Sequence, residues 1–467
     1  MLRCRCAARA SCPRREGGAP RGQPTPSAGR LASAFGAVLA AVMTGCAGSQ
    51  SLATVPTPLG ATATPRSVTS GTPVATPTPS PETATTPPPA APSSWTLVSS
   101  PDAPGSDNSQ LNAVTCAGSG DCWAVGNAGD SEGGPVTNGT TLVEQDTGDG
   151  WSIVSSPNPT GDTDSRLLAV TCVSADDCWA VGYSSDADLD NHTLIEQDAG
   201  SGWTIVSSPT PSGGGQLNGV SCAGASDCWA VGYTTDTNLN EQTLTEQDTG
   251  GGWKIVPSPH PSGNTSSQLN TVTCVSTADC WAAGYSGING NNPLTLIEQD
   301  TGGGWKIVPS PNGPDSDAPS ALDGVSCAGA GDCWAVGTYG ANNAWHALIE
   351  QDTGGGWSVV SSPTVSISAG GWLDALSAVT CVAAGDCSAA GLLESGLTES
   401  GSANQFTLIE QWTGGGWSIA STPDPAGGMS IALSGVTCPS EDDCWAVGSY
   451  QAGNDVQTLI EQATGSR

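Results

Sequence analysis

Apolar residues in this chain come in short bursts. Between Leu167 and Pro209 four follow one another, at Leu167–Cys172, Cys178–Tyr183, Thr193–Gln197 and Trp203–Ser207, each five or six residues long. They are rich in Val, Ile, Thr and Trp and are separated by Gly, Asp, Asn, Ser and Pro, which is strand-and-turn grammar without a helical period. Runs such as Cys-Trp-Ala-Val-Gly and Trp-Thr-Ile-Val are apolar on both alternating faces. A strand needs that only where both sides of its sheet are covered. The four bursts return seven times, anchored on Trp95, Trp151, Trp203, Trp253, Trp305, Trp357 and Trp417, at intervals of 56, 52, 50, 52, 52 and 60 residues. A period of this size marks a repeat architecture.

Four-stranded antiparallel units that cover each other's faces predict an all-β fold, a seven-bladed β-propeller, in which only short strand edges stay exposed. A linear stack would need capping repeats, and neither end of the region supplies one. The repeat region opens on a lone fourth strand, Trp95 to Ser99, and closes after a third strand, Thr458 to Gln462. The N-terminal strand is therefore expected to complete the last blade, in a 1+3 closure.

The turn between third and fourth strands reads Asp146-Thr-Gly-Asp-Gly-Trp151, and the same frame places Asp198, Asp248, Asp300 and Asp352 ahead of their tryptophans. This resembles the Asp-box hairpin of sialidase-like propellers, with Glu144 standing where a serine or threonine is usual. The wider pattern, Leu-x-x-Val-x-Cys followed by Cys-Trp-Ala-Val-Gly, is similar to the repeat of photosynthesis-assembly-type and BNR-like propellers. The resemblance covers residues 95–467. It implies the fold and leaves activity open, because function resides in sites grafted on folds.

Charge narrows the partners. Seven of the 12 basic residues lie before residue 31 with one of the 44 acidic ones, which leaves 43 acids against 5 bases over residues 46–467, a net of −38. Such a surface repels nucleic acid and anionic lipid. The arginine-bearing start leads into Leu31 to Met43, an apolar run too short to span a bilayer, and ends Met43-Thr-Gly-Cys46. Residues 1–45 thus resemble a bacterial lipoprotein signal, which implies lipidation of Cys46 and a place on the outer face of the membrane or envelope. Plain secretion is the alternative. Residues 46–94, rich in Thr, Pro, Ala and Ser, lack the apolar side chains to offset ordering entropy and are expected to form a disordered stalk.

The propeller region holds fourteen cysteines with one spacing: Cys116/Cys122, Cys172/Cys178, Cys222/Cys228, Cys274/Cys280, Cys327/Cys333, Cys381/Cys387 and Cys438/Cys444. Each pair joins the end of a first strand to the start of a second across a five-residue turn, as cross-strand neighbours that a disulfide can close. Zinc sites favour tighter spacing, and only three histidines could assist.

A catalytic centre in a propeller is one place, so residues repeated in every blade point to architecture. The Glu-Gln pair of each third strand, Glu144-Gln145 through Glu461-Gln462, is read as a hydrogen-bonding feature. Departures from the repeat are more informative. Of 16 tryptophans, Trp345, Trp372 and Trp412 fall outside the pattern, and Ser388 stands where other blades have Trp. Trp345, His346 and Trp372 are expected to emerge on one face as an aromatic patch for a sugar or peptide. The alternative is that Trp372 folds back into the space beside Ser388. Asp186, Asp188 and Asp190, and the loop at Asp236, have alternating oxygens that could hold calcium but lack the distal bidentate Glu, and Asx turns explain them more simply. No cofactor is expected. The sequence thus predicts an exported, monomeric, non-enzymatic binding or scaffold module for a carbohydrate or protein ligand. The rival readings are a secreted carbohydrate-active hydrolase or lyase and, by family likeness alone, an assembly factor for a membrane complex.

Overall fold

A computed structural model describes residues 94–130, 137–288, 291–314, 318–341, 344–363, 373–397 and 403–464. The expectations for residues 1–93, the signal, Cys46 and the stalk, lie outside the described residues.

Every regular element among the described residues is a β-strand. The strands form antiparallel sets of four, and the second set is representative: an inner strand Asp164–Ser174, a second strand Asp177–Ser185, a third strand Asn191–Asp198 and an outer strand Trp203–Val206. The inner three are longer than the apolar bursts. Polar residues at their ends go on pairing, as in Ser165↔Ser184 and Ser185↔Asn191. The other sets follow the same order over residues 108–154, 215–256, 266–308, 320–360 and 373–419, giving sets one and three to six. In the last set, Met429–Ser440, Asp443–Ala452 and Asp455–Thr464 take Trp95–Val98 as their outer strand, with register Trp95↔Ala463 to Val98↔Ile460.

A repeated glycine shows how tightly each sheet is built. The inner strand of set two has a register shift between Leu167 and Ala169. This brings the Arg166 carbonyl so close to Gly182 that a Cβ there would sit 1.9 Å from the oxygen. Only glycine fits, which explains the last residue of Cys-Trp-Ala-Val-Gly.

Neighbouring sets pack face to face. Trp179, Val181 and Ile195 of set two share a buried cluster with Leu217, Val220, Leu244 and Trp253 of set three. Leu111, Val114 and Trp151 of set one join Trp445, Val447 and Ile460 of set seven in the same way. Six tryptophan pairs cross these interfaces edge to face at 5.1 to 5.5 Å between ring centroids, each adding about 0.5–1.5 kcal/mol beyond its burial. The architecture is therefore all-β and propeller-like. Its core is a series of apolar layers between sheets.

The third-to-outer turns form the Asp-box hairpin. Asp300 Oδ1 accepts from the backbone N–H groups of Gly302, Gly303 and Gly304 at 2.8 to 3.1 Å, and Gly302 and Gly304 have φ of +81° and +90°, which favours glycine. Asp146, Asp198, Asp248 and Asp352 do the same in their sets. In set six Trp412 replaces the Asp and stacks on Trp334 at 4.9 Å.

All seven cysteine pairs are disulfides, with Cα–Cα distances of 4.0 or 4.1 Å. Their setting differs from the five-residue turn that the spacing suggested. Pairing continues past the cysteines, as at Gly118↔Asp121 beyond Cys116↔Cys122, so the bridge lies within the hairpin and a shorter turn closes it. The second cysteine of every pair, Cys122, Cys178, Cys228, Cys280, Cys333, Cys387 and Cys444, is also buried. Each is a member of the apolar layer between its set and a neighbour, while the first cysteine packs at that layer's margin. The physical reason is strand alternation: the Trp, or Ser388 in set six, that follows the second cysteine points to the opposite face, which turns the sulfur into the core. The bridges are thus part of the packed interior, where a sulfur behaves as a small apolar group.

Closing so short a loop contributes about 2 kcal/mol per bridge in the chain-entropy model. Replacing Cys274 and Cys280 by Ala is expected to lower unfolding stability by about 2–3 kcal/mol, the bridge together with a small cavity at Cys280. Full reduction is expected to abolish the folded state. Denaturant titration with and without reductant checks both.

Candidate ligand-binding face

The repeated polar residues are engaged in holding the sheets together. Each third-strand glutamate is buried at an interface between sets, and six of the seven receive a serine from two residues past the preceding set's outer strand: Ser100 to Glu144, Ser156 to Glu196, Ser208 to Glu246, Ser258 to Glu298, Ser310 to Glu350 and Ser362 to Glu410, at 2.7 to 3.2 Å. The hydrogen-bonding role read from the sequence is thus a tether between sets. Glu461 is the exception. Thr422 takes the serine's place and donates to the Thr407 carbonyl. Thr407 faces Glu461, but its hydroxyl is turned to Asp424 at 3.4 Å, and neither Glu461 oxygen has a hydrogen-bond partner. Burial pushes all seven carboxyls up, to about 7 for Glu196, Glu246 and Glu410 and about 8 for Glu144, Glu298, Glu350 and Glu461. Six of the adjacent glutamines donate to the Asp that opens their second strand, as Gln299 does to Asp279 at 3.0 Å, while the side chain of Gln411 in set six is buried without a partner.

Two of the residues that break the repeat lie where the second strand of set five ends and its third strand begins. Trp345 and His346 belong to the third strand of set five, Ala344–Asp352, and are half-buried. They are not in a projecting loop as the sequence suggested, because Trp345 pairs with Gly340 and His346 with Tyr339, which extends the sheet. Trp345 also forms a single parallel pair with Leu373 of set six and packs on a small cluster of Leu373, Ala375 and Leu392. His346 Nδ1 lies 3.3 Å from Asp374 Oδ1, and its ring is 5.4 Å from that of Tyr339. Burial raises the Asp374 carboxyl, opposed by His346. The structure therefore brings Trp345 and His346 together at the junction of sets five and six. Trp372 lies outside the described residues, so its proposed place beside Ser388 does too. Ser388 itself is buried with its hydroxyl unpartnered.

The acidic loops are Asx turns. Asp186 Oδ1 accepts from the N–H groups of Asp188 and Asp190, and Asp236 Oδ1 from those of Asn238 and Asn240. These bonds hold both carboxyls below the usual range. His192 is 3.3 Å from Asp186. The two loops flank a cleft of about 560 Å³ whose walls include His192, Pro211, Gly214, Asp236 and Leu239. No group of three or more His, Cys, Asp or Glu side chains suited to a metal occurs among the described residues.

A third feature was not read from the sequence. Directly after the repeated glycine of the second strand stand Tyr183, Tyr233 and Tyr285 in sets two to four, each in register with a long polar residue of the inner strand, Arg166, Gln216 and Gln268. In sets five to seven the same pairs are Ala321/Thr338, Ala375/Leu392 and Ala432/Ser449. Its sequence signal is the tyrosine in one frame of three consecutive copies. Arg166 donates to Asp164 at 3.0 Å and lies 5.9 Å from the centre of the Tyr183 ring. Beyond Tyr285, Asp323 of set five keeps some water-accessible surface yet is surrounded by protein, and this enclosure pushes its carboxyl up to about 7 against a bond from Asn270.

No protein-family model matches the chain, and no curated protein matches it in sequence. Solved structures similar to it include YCF48 from Cyanidioschyzon merolae, at 13% identity and a TM-score of 0.47 over 80% of this chain and 99% of that one. A Trypanosoma rangeli sialidase in complex with sialic acid is similar at 13% identity and a TM-score of 0.43, over 76% and 55% of the two chains. A Penicillium chrysogenum alpha-L-arabinanase complexed with arabinobiose is similar at 11% identity and 0.39, over 63% and 91%.

Proposed function

We propose that residues 95–467 form a closed seven-bladed propeller that works as a monomeric, non-enzymatic binding module for a carbohydrate or protein ligand, exported and held at the cell surface through a lipid on Cys46. Closure is supported by the pairing of Trp95–Val98 with Asp455–Thr464, which completes the last set within one chain. The observation that carries the functional reading is a division of labour. In most sets the glutamates, glutamines and Asp-box carboxylates of the repeat are consumed by bonds that hold sheets and turns, as at Glu298, Gln299 and Asp300. Trp345 and His346, which depart from the repeat, stand half-buried with Tyr233 near the second-to-third-strand ends. Asp323 is the one feature that favours a hydrolase, since a carboxyl raised to about 7 suits a general acid. Its hydrogen-bond partner is Asn270, with no second carboxylate acting on it, and glycoside hydrolysis ordinarily uses a pair.

The mature chain beginning at Cys46, screened against glycan and peptide arrays with a parallel hydrolysis assay, tests this reading. Binding without turnover is expected. Release of product, abolished by Asp323→Asn, would establish the enzyme instead.

A further inference from the structure

We infer that the inner wall running from Tyr183 to Asp323 is a subsite for a neutral polyhydroxylated ligand, an uncharged saccharide. This rests on the binding-module reading and narrows it to one site and one ligand class.

Packing does not call for the residues that make this wall. Sets five to seven put alanine at the inner-strand position where sets two to four put Arg166, Gln216 and Gln268, and a buried leucine fills the position before the register shift in all six. The wall is thus built out on one side of the repeat and left small on the other.

Its polar groups are pre-positioned. The Tyr233 hydroxyl donates to Gln216 Oε1 at 3.3 Å, Gln216 Nε2 to Asn218 Oδ1 at 2.7 Å, and Asn218 Nδ2 to the Leu269 carbonyl at 2.9 Å. In the next set Gln268 Nε2 donates to Asn270 Oδ1 at 2.7 Å, and Asn270 Nδ2 reaches both the Leu322 carbonyl and Asp323. Side chains locked in this way lose little rotamer freedom when a ligand arrives. The hydroxyls of Tyr183 and Tyr285 have no hydrogen-bond partner among the described residues; Tyr183 itself is buried. The rings of Tyr233 and Tyr285 are part-open. Carboxamides with spare acceptors and donors, phenol hydroxyls and aromatic faces are the groups that recognise a sugar's alternating hydroxyls and C–H faces.

Charge selects among sugars. Arg166 is the only arginine among the described residues, and Asp164 already holds its guanidinium. An anionic ligand would find no free cation here and would approach a strongly acidic chain. A cationic ligand would meet Asp323, whose enclosure favours the neutral form, and Glu241, which accepts from Ser266 at 2.6 Å.

The test is calorimetric titration of the mature chain with neutral oligosaccharides (arabino-, xylo-, cello- and malto-series), anionic ones (oligogalacturonate, sialyllactose) and oligolysine. Binding of at least one neutral series is expected, weakened tenfold or more by Tyr285→Ala and by Gln216→Ala and several-fold by Tyr285→Phe, which keeps the ring. Trp345→Ala should change it less than twofold, and melting curves serve as the folding control. Binding confined to anionic sugars or oligolysine overturns the inference. Neutral-sugar binding lost on Trp345→Ala but kept in Tyr285→Phe and Gln216→Ala overturns this site while sparing the binding-module reading. No binding to any probe overturns both.

Discussion

Raising the pH from 5 to 9 is expected to destabilise the protein, with most of the loss between pH 6 and 8.5. The cause is the set of seven glutamates buried between sheets, each with a carboxyl raised by burial to about 7 or 8 from 4.5. A group whose folded pKa lies above its unfolded value binds more protons in the folded state across that interval. Its contribution is whole below the unfolded pKa and is lost as pH climbs through the folded one. For Glu298, perturbed by burial and by the Ser258 hydroxyl and by no other charge, the displacement from 4.5 to about 8 corresponds to on the order of 5 kcal/mol. Local opening that admits water reduces what is realised, and a change of about 1–3 kcal/mol per residue is the working expectation. Glu298→Gln keeps the shape and the acceptor for Ser258. It should leave stability at pH 5 unchanged and raise it at pH 8.5 by about 1–3 kcal/mol. Denaturant unfolding at the two pH values reads this directly, and a variant equally stabilised at both would contradict it.

Removing the strand Trp95–Val98 is expected to cost more than any single substitution. A chain beginning at Pro101 loses Trp95, 3% exposed within the last set's apolar layer, the four-residue pairing with Asp455–Thr464, and Ser100, which bonds both Thr458 and Glu144. Trp95→Ala alone should cost about 3–5 kcal/mol through the cavity it leaves. Loss of the whole strand exposes the edge and one face of the last sheet and is expected to leave no cooperative unfolding transition at 37 °C. Thr96→Ala, on the exposed side of the same strand, should be nearly neutral. Supplying residues 94–103 as a peptide should restore part of the lost stability in a concentration-dependent way.

Much of this was legible in the residues. Strand identity followed from the bursts of Val, Ile and Trp, and the Cys-x5-Cys spacing gave the disulfides because it sits at a strand-to-strand turn. That spacing did not show how deep the bridges lie, because the burial of Cys122 or Cys333 depends on the sheet packed against it. The Asp-box turn followed from Asp146 and its equivalents, whose side chains cap their own loops. The site was harder to see. Trp345 was expected to emerge beside the second-to-third loop, whereas sheet pairing runs to Ala341↔Ala344 and places it in a strand. The tyrosine wall escaped notice because Cys-Trp-Ala-Val-Gly-Tyr extends an apolar burst by one residue. Only the cross-strand register reveals that this residue faces Arg166 or Gln216 rather than more core. The tether role of the glutamates was likewise invisible, because Ser156 and Glu196 are 40 residues apart and meet only when one set lies on the next.

The central claim is that the first strand seals the last sheet, and hydrogen exchange on the mature chain measures it most directly. The amides of Leu97 and its neighbours should exchange as slowly as those of the equivalent outer strands Trp151–Val154 and Trp203–Val206, and only through opening of the whole last set. Exchange of Trp95–Val98 at the rate of an unstructured peptide, with the rest of the repeats protected, would contradict the account.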